Sequence, residues 1–340
     1  MIRDYVKKRL GKNCSNEAVK RIANLIQTLK NLPVCESASV GVGSSINEEC
    51  NRIAKDFHLD SDIVDKIVFD YLKTERSIKA AADVGIIGGS GFYDPNFLEN
   101  TKEVSIVSPY GRPSDVITIG ELEGWNVAFL PRHGRLHTIR PTDINYRANI
   151  DVMKQLGVKR IIAPCTCGSL NEDYHPGDVV FVDQFIDRTT RREQSFYGEN
   201  RVCHISVAEP ICSELRRILY KSSSSIEDKH GKGTYVCVEG PRFSTRAESR
   251  LFRSWKADVV GMTLVPECVL AREAEMCYAS IAMVTDYDVW KKDLVSASKV
   301  SEVMKSNIRK VKYIITEAMK NMPKERKCEC KNALEGALLK

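Results

Sequence analysis

Two carboxylates that follow an apolar run are the residues best suited to acid–base chemistry. In Thr285-Asp286-Tyr287-Asp288 the acids stand two positions apart, so in an extended segment they point the same way. Such a pair can share the polar edge of a heterocycle, with one carboxyl donating a proton and the other accepting a hydrogen bond. The spacing suits a divalent-metal site or a capped turn equally well, and the neighbouring Trp290 favours an organic ligand.

Three turns contain the residue types that bind an anion. The Gly-Gly-Ser-Gly run that includes Ser90 lets backbone amides approach a ligand, although it matches neither the dinucleotide fingerprint nor the P-loop. Arg132 and His133 offer a guanidinium fork and an imidazole donor. Small residues around Cys165 and the Thr166 hydroxyl leave room beside the backbone. Each turn taken alone is also explained without a ligand, as a glycine turn, a salt-bridging turn or a packed turn.

The elements that must position these residues follow an α/β pattern from residue 84 onward, in which short apolar runs alternate with helical segments. The runs are apolar almost throughout, as expected for strands covered on both faces. Predicted strands lie at residues 84–87, 127–130, 160–163, 179–182 and 280–284, and a helix at residues 301–320. The acid pair and the three turns each follow a predicted strand, at the end where open α/β sheets place their sites.

The first 80 residues have a helical pattern instead. Ser15 is placed to cap one helix, Ser45 and Glu48 form a capping box before a second, and a third follows Asp60. We therefore expect a small all-helical N-terminal unit over residues 1–80 and a catalytic domain over residues 81–340.

Three roles are open for the N-terminal unit. It could serve packing or oligomerisation, bind a partner, or bind nucleic acid through a helix-turn-helix at residues 53–72. The lack of a concentrated basic recognition helix disfavours the last of these.

Composition narrows the class of protein. The net charge of +6 is spread among interspersed acids and bases, which argues against a nucleic-acid partner. No stretch approaches the roughly 20 apolar residues that span a bilayer, and the first ten residues contain no apolar secretion segment. We expect a cytoplasmic protein without a membrane partner.

Most of the 12 cysteines stand singly inside apolar runs, where a thiol behaves as a small hydrophobe. The pairs Cys165/Cys167 and Cys328/Cys330 lack the spacing of a structural zinc site. We therefore expect no metal.

Taken in order, the motifs resemble those of 5′-methylthioadenosine phosphorylases within the purine nucleoside phosphorylase superfamily, over about residues 84–320. The resemblance is carried by the motifs at residues 88–91 (GGSG), 132–138 (RHGRLHT), 167–170 (CGSL), 183–189 (DQFIDRT), 239–243 (EGPRF), 261–263 (GMT) and 285–288 (TDYD). It implies a central mixed, partly closed sheet flanked by helices, and a homotrimer that sometimes pairs into a hexamer. It also implies no organic cofactor, with inorganic phosphate as co-substrate.

The resemblance assigns roles to individual residues. The implied phosphate pocket comprises Ser90, Arg132, His133, Cys165, Thr166 and Thr263, where Cys165-Thr166 replaces two small residues common in relatives. The implied nucleoside site comprises Met262 against the ribose, Phe243, Ser244 and Thr285 around the base, and His204, Val300, Val303 and Met304 around the 5′ end. Asp286 would protonate the purine and Asp288 would hold its 6-amino group. The Cys328-Glu-Cys330 tail resembles one in archaeal-type members, where it can be oxidised.

The implied reaction is phosphate-dependent cleavage of 5′-methylthioadenosine to adenine and 5-methylthioribose 1-phosphate. Three alternatives remain: a broader or 6-oxopurine nucleoside phosphorylase, a hydrolytic nucleosidase, and a non-catalytic nucleoside-binding protein that acts through its N-terminal unit. The two acids favour an adenine base, since a carboxylate accepts from a 6-amino group.

Overall fold

The structure is a computed structural model that describes residues 2–11, 14–31, 50–59, 63–64, 67, 81–89, 92, 94, 97–198, 202–291 and 297–338. Only the backbone is described for residues 27–31 and 297–302. The capping box predicted at Ser45 and Glu48, most of the helix predicted after Asp60, and the Ser90 hydroxyl lie outside the described residues.

The described part of the N-terminal unit is helical. Helices α1 (Ile2–Leu10) and α2 (Asn16–Asn31) are followed by a helical segment at residues 50–56. The predicted cap at Ser15 is confirmed, because its hydroxyl accepts a hydrogen bond from the Ala18 amide at 3.1 Å. Apolar side chains of these segments form a small core of their own, and Val107 of the larger unit packs against it.

The larger unit is built on one 11-stranded sheet. Its strands are β1 (Val84–Gly88), β2 (Glu99–Val104), β3 (Ile117–Leu122), β4 (Trp125–Pro131), β5 (Arg160–Ser169), β6 (Val179–Phe181), β7 (Gln184–Arg188), β8 (Lys229–His230), β9 (Thr234–Val238), β10 (Val259–Gly261) and β11 (Cys277–Asp286). All five predicted strands are confirmed. Strands β1 and β5 are buried along nearly their whole length, which explains why they read as continuous apolar runs.

The sheet is mixed and forks at β5. The start of β5 pairs in parallel with β1, its end pairs antiparallel with β10, and β11 runs parallel along nearly its whole length. One path of the sheet runs β2-β3-β4-β1-β5-β10-β9-β7, while β11 continues to β6 and β8. The sheet is thus mixed and branched, and the predicted α/β fold with a central mixed sheet flanked by helices is confirmed.

In the part of the chain that the structure describes, five helices flank the sheet: α3 (Tyr146–Gln155), α4 (Ser213–Ser222), α5 (Arg246–Ser254), α6 (Leu264–Glu273) and α7 (Ala297–Asn321). The predicted C-terminal helix at residues 301–320 lies within α7. Within the described ranges, no helix is both long enough and apolar enough to cross a membrane.

Candidate functional site

A cavity of about 400 Å³ lies at the carboxyl ends of β1, β4, β5 and β11. Most of the predicted site residues line it: Arg132, His133, Cys165, Thr166, Phe243, Ser244, Met262, Thr263, Thr285, Asp286, Asp288 and Met304. Most of them come from strand ends and turns far apart in sequence, which the sheet brings together, while Met304 lies in the C-terminal helix. The turn predicted around Cys165 and Thr166 is wrong, because both residues lie within β5, which continues to Ser169.

Four predicted site residues are absent from the described lining of this cavity: Ser90, His204, Val300 and Val303. His204 is exposed, with its backbone amide bonded to the Ala337 carbonyl at 2.8 Å, and Val303 is half-buried in α7; neither lines the cavity. Ser90 and the Val300 side chain lie outside the described residues, although Gly89 beside Ser90 does line the cavity.

The Arg132 guanidinium is buried and almost fully engaged within the protein. Its Nε and Nη2 donate to the two carboxylate oxygens of Glu267, both at 2.7 Å. Nη2 also donates to the Ile87 carbonyl at 3.0 Å, and Nη1 donates to the Pro164 carbonyl at 3.2 Å. The two parallel N–H donors that were predicted to bind phosphate therefore donate to Glu267 instead. One N–H on Nη1 remains beyond these bonds.

Glu267 is a functional residue that sequence reasoning missed. It is fully buried in α6, where its carboxylate also accepts a hydrogen bond from the Tyr278 hydroxyl at 2.8 Å. Although burial disfavours the charge of Arg132, Glu267 raises the pKa of the guanidinium and keeps it ionised. A single acid inside the apolar stretch at residues 264–271 was the available signal.

His133 is held as a neutral imidazole. Its Nδ1 lies 2.9 Å from the Ile139 carbonyl, which can only accept, so Nδ1 carries the proton. Burial lowers the pKa of His133 to about 4, and the Arg132 charge adds to this shift. Nε2 is therefore an acceptor rather than the predicted donor, and it suits a protonated oxygen of phosphate.

Asp286 ends β11 with both carboxylate oxygens engaged. Oδ2 accepts from the Thr285 hydroxyl and Oδ1 from the Asp288 amide, both at 2.8 Å. These bonds favour the charged form, yet burial outweighs them and raises the pKa of Asp286, with the Asp288 charge adding to the rise. Asp286 therefore retains a proton to a higher pH than an ordinary carboxyl.

Asp288 lines the same cavity as Asp286, but the alternation of side chains along a strand is not the reason. Its φ of 50° places it in a turn after the strand, so the expectation of two acids on one extended face is wrong, although both line the cavity. Asp288 is 4% exposed and burial raises its pKa. The hydroxyls of Ser249 and Ser244 lie close enough to oppose that rise, but Oδ2 makes no hydrogen bond of good geometry with any described residue. A buried acceptor left open in a cavity indicates a ligand donor.

A family model described as the phosphorylase superfamily matches residues 83–320. This chain belongs to the phosphorylase superfamily. The predicted resemblance is thus confirmed, and the match begins where the N-terminal unit ends.

Two curated relatives of this phosphorylase have the same name. The S-methyl-5′-thioadenosine phosphorylase of Thermofilum pendens is 54% identical over 257 residues, which are 75% of this chain and 98% of that relative. The enzyme of the same name from Hyperthermus butylicus is 55% identical over 263 residues, covering 76% and 96%.

Solved structures agree with the sequence relatives. A methylthioadenosine phosphorylase from an Antarctic soil metagenomic library superposes with a TM-score of 0.73 at 45% identity, covering 77% of this chain and 93% of that one. The Schistosoma mansoni methylthioadenosine phosphorylase in complex with adenine gives a TM-score of 0.71 at 40% identity, covering 75% and 97%.

Proposed function

We propose that this phosphorylase uses inorganic phosphate to cleave 5′-methylthioadenosine into adenine and 5-methylthioribose 1-phosphate, a step of purine and methionine salvage. The observation that carries the proposal is the open, buried Oδ2 of Asp288 beside Asp286, whose pKa is raised. This pair offers an acceptor for a 6-amino group next to a proton donor. The name shared by the curated relatives and the adenine-bound neighbour support this choice of substrate.

Phosphate would occupy the end of the cavity lined by Gly89, Arg132, His133, Thr166 and Thr263. The remaining Nη1 N–H of Arg132 and the two threonine hydroxyls are donors to phosphate oxygens, and His133 Nε2 accepts from a protonated one. The Arg132 charge is fixed before phosphate arrives, so binding needs little reorganisation.

In the reaction, a phosphate oxygen forms a bond to C1′ as the bond from C1′ to N9 of the purine breaks. Phosphate below the sugar stabilises the oxocarbenium-like transition state. Asp286 gives its proton to N7, so the base that takes the electron pair departs as neutral adenine. Asp288 accepts from the 6-amino group and orients the ring. We propose that no metal or organic cofactor takes part in this reaction.

The sugar and its 5′ substituent would contact the apolar part of the cavity. Met262 and Met304 line it, and Phe243, 49% exposed, covers the base. An apolar pocket favours a methylthio group but discriminates weakly against an added hydroxyl, so adenosine is expected to be a slower substrate.

We propose a homotrimer, with paired trimers as the larger assembly. Large apolar side chains are exposed beside site residues, with Leu136 80% exposed next to cavity-lining His137 and Val202 52% exposed near His204. Exposed apolar residues of this kind support a subunit interface. In such an assembly His204 would meet its implied 5′ ligand in the cavity of a neighbouring copy, which explains why it does not line its own.

We infer that residues 1–80 serve packing or oligomerisation, because their small core packs against Val107 of the catalytic unit. We propose a cytoplasmic location, which is supported by the cysteines, since none of those described forms a disulfide.

The test is adenine release from 5′-methylthioadenosine by the purified full chain, with and without phosphate, and with inosine in parallel. We expect strict phosphate dependence and little release of hypoxanthine. Equal release without phosphate would indicate a hydrolase, preference for inosine a 6-oxopurine phosphorylase, and no release of either base a non-catalytic protein. Each of these results would reject the proposal.

A further inference from the structure

Four cysteines from three separate parts of the chain meet away from the cavity. Cys212 precedes α4, Cys277 begins β11, and Cys328 and Cys330 belong to the C-terminal segment. All four sulfur atoms lie within 4.8 Å of one another. Cys277 lies at the opposite end of β11 from Asp286, so this four-cysteine cluster is separate from the site described above.

The mutual spacing of the sulfurs fits a single tetrahedral ion. A zinc–sulfur bond of ~2.3 Å makes the edge of a ZnS₄ tetrahedron about 3.8 Å long. The Sγ atoms of Cys277 and Cys328 are 3.3 Å apart, and the remaining pairs fall inside the 4.8 Å limit. Two disulfides would place two pairs of sulfurs about 2.05 Å apart, whereas the four cysteines are free of disulfides and their sulfurs are mutually close.

The surroundings suit the negative charge of four thiolates. Cys212 is the N-cap of α4, and its sulfur accepts a hydrogen bond from the Leu215 amide at 3.4 Å. A helix N-terminus stabilises a thiolate in this way. On the other side, the Arg326 guanidinium lies 3.9 Å from the Cys277 sulfur and is held there by the Glu275 carbonyl at 2.9 Å.

Burial closes the cluster to substrate. Cys212, Cys277 and Cys330 are at most 7% exposed and Cys328 is half-buried. Four protein sulfurs complete the tetrahedral coordination of zinc and leave no open position, which is the arrangement of a structural rather than a catalytic site. Thiolate ligands of this number and geometry also favour a soft or borderline ion over magnesium or calcium.

We propose that Cys212, Cys277, Cys328 and Cys330 bind one zinc ion. The ion would fasten the C-terminal segment to the amino end of β11 and to α4. That segment also pairs with the strand-like stretch at residues 203–204, through the Cys203–Leu338 bridge and the bond from the His204 amide to the Ala337 carbonyl. Zinc would therefore order the part of the surface that carries His204.

This site departs from the expectation of no metal drawn from cysteine spacing. Only Cys328 and Cys330 are near in sequence, while Cys277 and Cys212 precede Cys328 by 51 and 116 residues (328 − 212). No zinc spacing exists along the chain because the ligands are assembled by the fold.

The test begins with the full chain purified under a reducing agent, without chelator, and analysed for metals by mass spectrometry. We expect close to one zinc per chain, released when the thiols are modified with a mercurial. Replacement by cobalt should give the intense thiolate-to-cobalt absorption of a tetrahedral site. Protein without zinc, with iron in its place, or with the four cysteines joined as disulfides under these conditions would overturn the proposal.

The matched variants are C328S/C330S, which removes two ligands, and C14S, which removes a half-buried cysteine of the N-terminal unit. We expect zinc to be lost from the first and retained in the second, with a lower midpoint of thermal unfolding only in the first. Full zinc in C328S/C330S would contradict the proposal. Metal analysis and the cobalt spectrum of the unaltered protein decide the matter even where the double variant fails to fold.

Discussion

The Glu267 carboxylate holds the Arg132 guanidinium through two hydrogen bonds of 2.7 Å, with the two side chains 0% and 1% exposed. Together with the carbonyls of Ile87 and Pro164, this pair fixes the cation at the end of the cavity that we propose binds phosphate. Arg132 therefore acts from a rigid position, and Glu267 is the positioning residue that makes its charge tolerable there.

Glu267→Gln should weaken phosphate binding and destabilise the fold. The amide keeps the shape but leaves a buried guanidinium without its counter-charge, which costs about 3–5 kcal/mol of unfolding free energy. We expect the KM for phosphate to rise at least about tenfold, which corresponds to 1.4 kcal/mol. Tyr278→Phe keeps the ion pair and removes one hydrogen bond to the charged carboxylate, so it should cost about 1.5–3 kcal/mol of unfolding free energy. Denaturant unfolding and phosphate titration of both variants are the measurements; an unchanged phosphate KM in Glu267→Gln would refute the positioning role.

Asp288→Asn should change which purine is accepted. The asparagine amide can turn a donor toward the base, so the 6-amino group loses its acceptor and a 6-oxo group gains a partner. A mispaired buried polar group costs about 1–3 kcal/mol, and we expect kcat/KM for 5′-methylthioadenosine to fall roughly 5- to 150-fold. Activity on inosine should rise relative to the adenine nucleoside. Equal losses on both substrates would show that Asp288 does not read the base.

Asp286→Asn should remove the proton donor. We expect kcat to fall by about 10² to 10⁴ with a smaller change in KM, as for loss of a general acid. In the unaltered enzyme, burial raises the pKa of Asp286, so the rate should fall as pH rises through that pKa. The Thr285 hydroxyl stabilises the charged form, and Thr285→Val should therefore move this alkaline fall to higher pH. A pH–rate profile unchanged in Thr285→Val would argue against Asp286 as the titrating acid.

The sequence predicts five strands and most of the residues of the candidate site, because these strands are apolar runs and polar residues follow most of them. The six other strands, which are β2, β3, β7, β8, β9 and β10, are not predicted. In β2 the residues Glu99–Val104 are polar and mostly exposed at the sheet edge and so lack an apolar pattern. Glu267 lies 135 positions from Arg132, and the four-cysteine cluster joins residues up to 118 positions apart (330 − 212). Such contacts depend on the fold and leave no local spacing.

His133 should make the free energy of unfolding depend on pH between about 4 and 6.5. Its folded pKa of about 4 lies below its ordinary value of 6.5, so between these values the unfolded chain binds more protons. The free energy of unfolding should fall as pH drops from 6.5 to about 4, by up to roughly 3 kcal/mol from this residue. His133→Asn should lack that part of the decline. Urea unfolding of both proteins at a series of pH values gives the comparison, and parallel curves would contradict the buried neutral imidazole.

Gly168→Ala should disable the acid pair by crowding. A Cβ at position 168 would stand 2.8 Å from Asp286 Oδ1 and 3.2 Å from the Asp288 amide nitrogen, so Asp286 must shift. Displacement of a catalytic group by about 1 Å can cost roughly 10²-fold in rate, and overpacking costs about 1–3 kcal/mol of stability. Gly198→Ala is the matched control, because Gly198 is exposed and its added Cβ would meet no described residue within 4 Å. Adenine release and thermal unfolding should separate the two variants; normal turnover in Gly168→Ala would mean that Asp286 need not occupy its observed position.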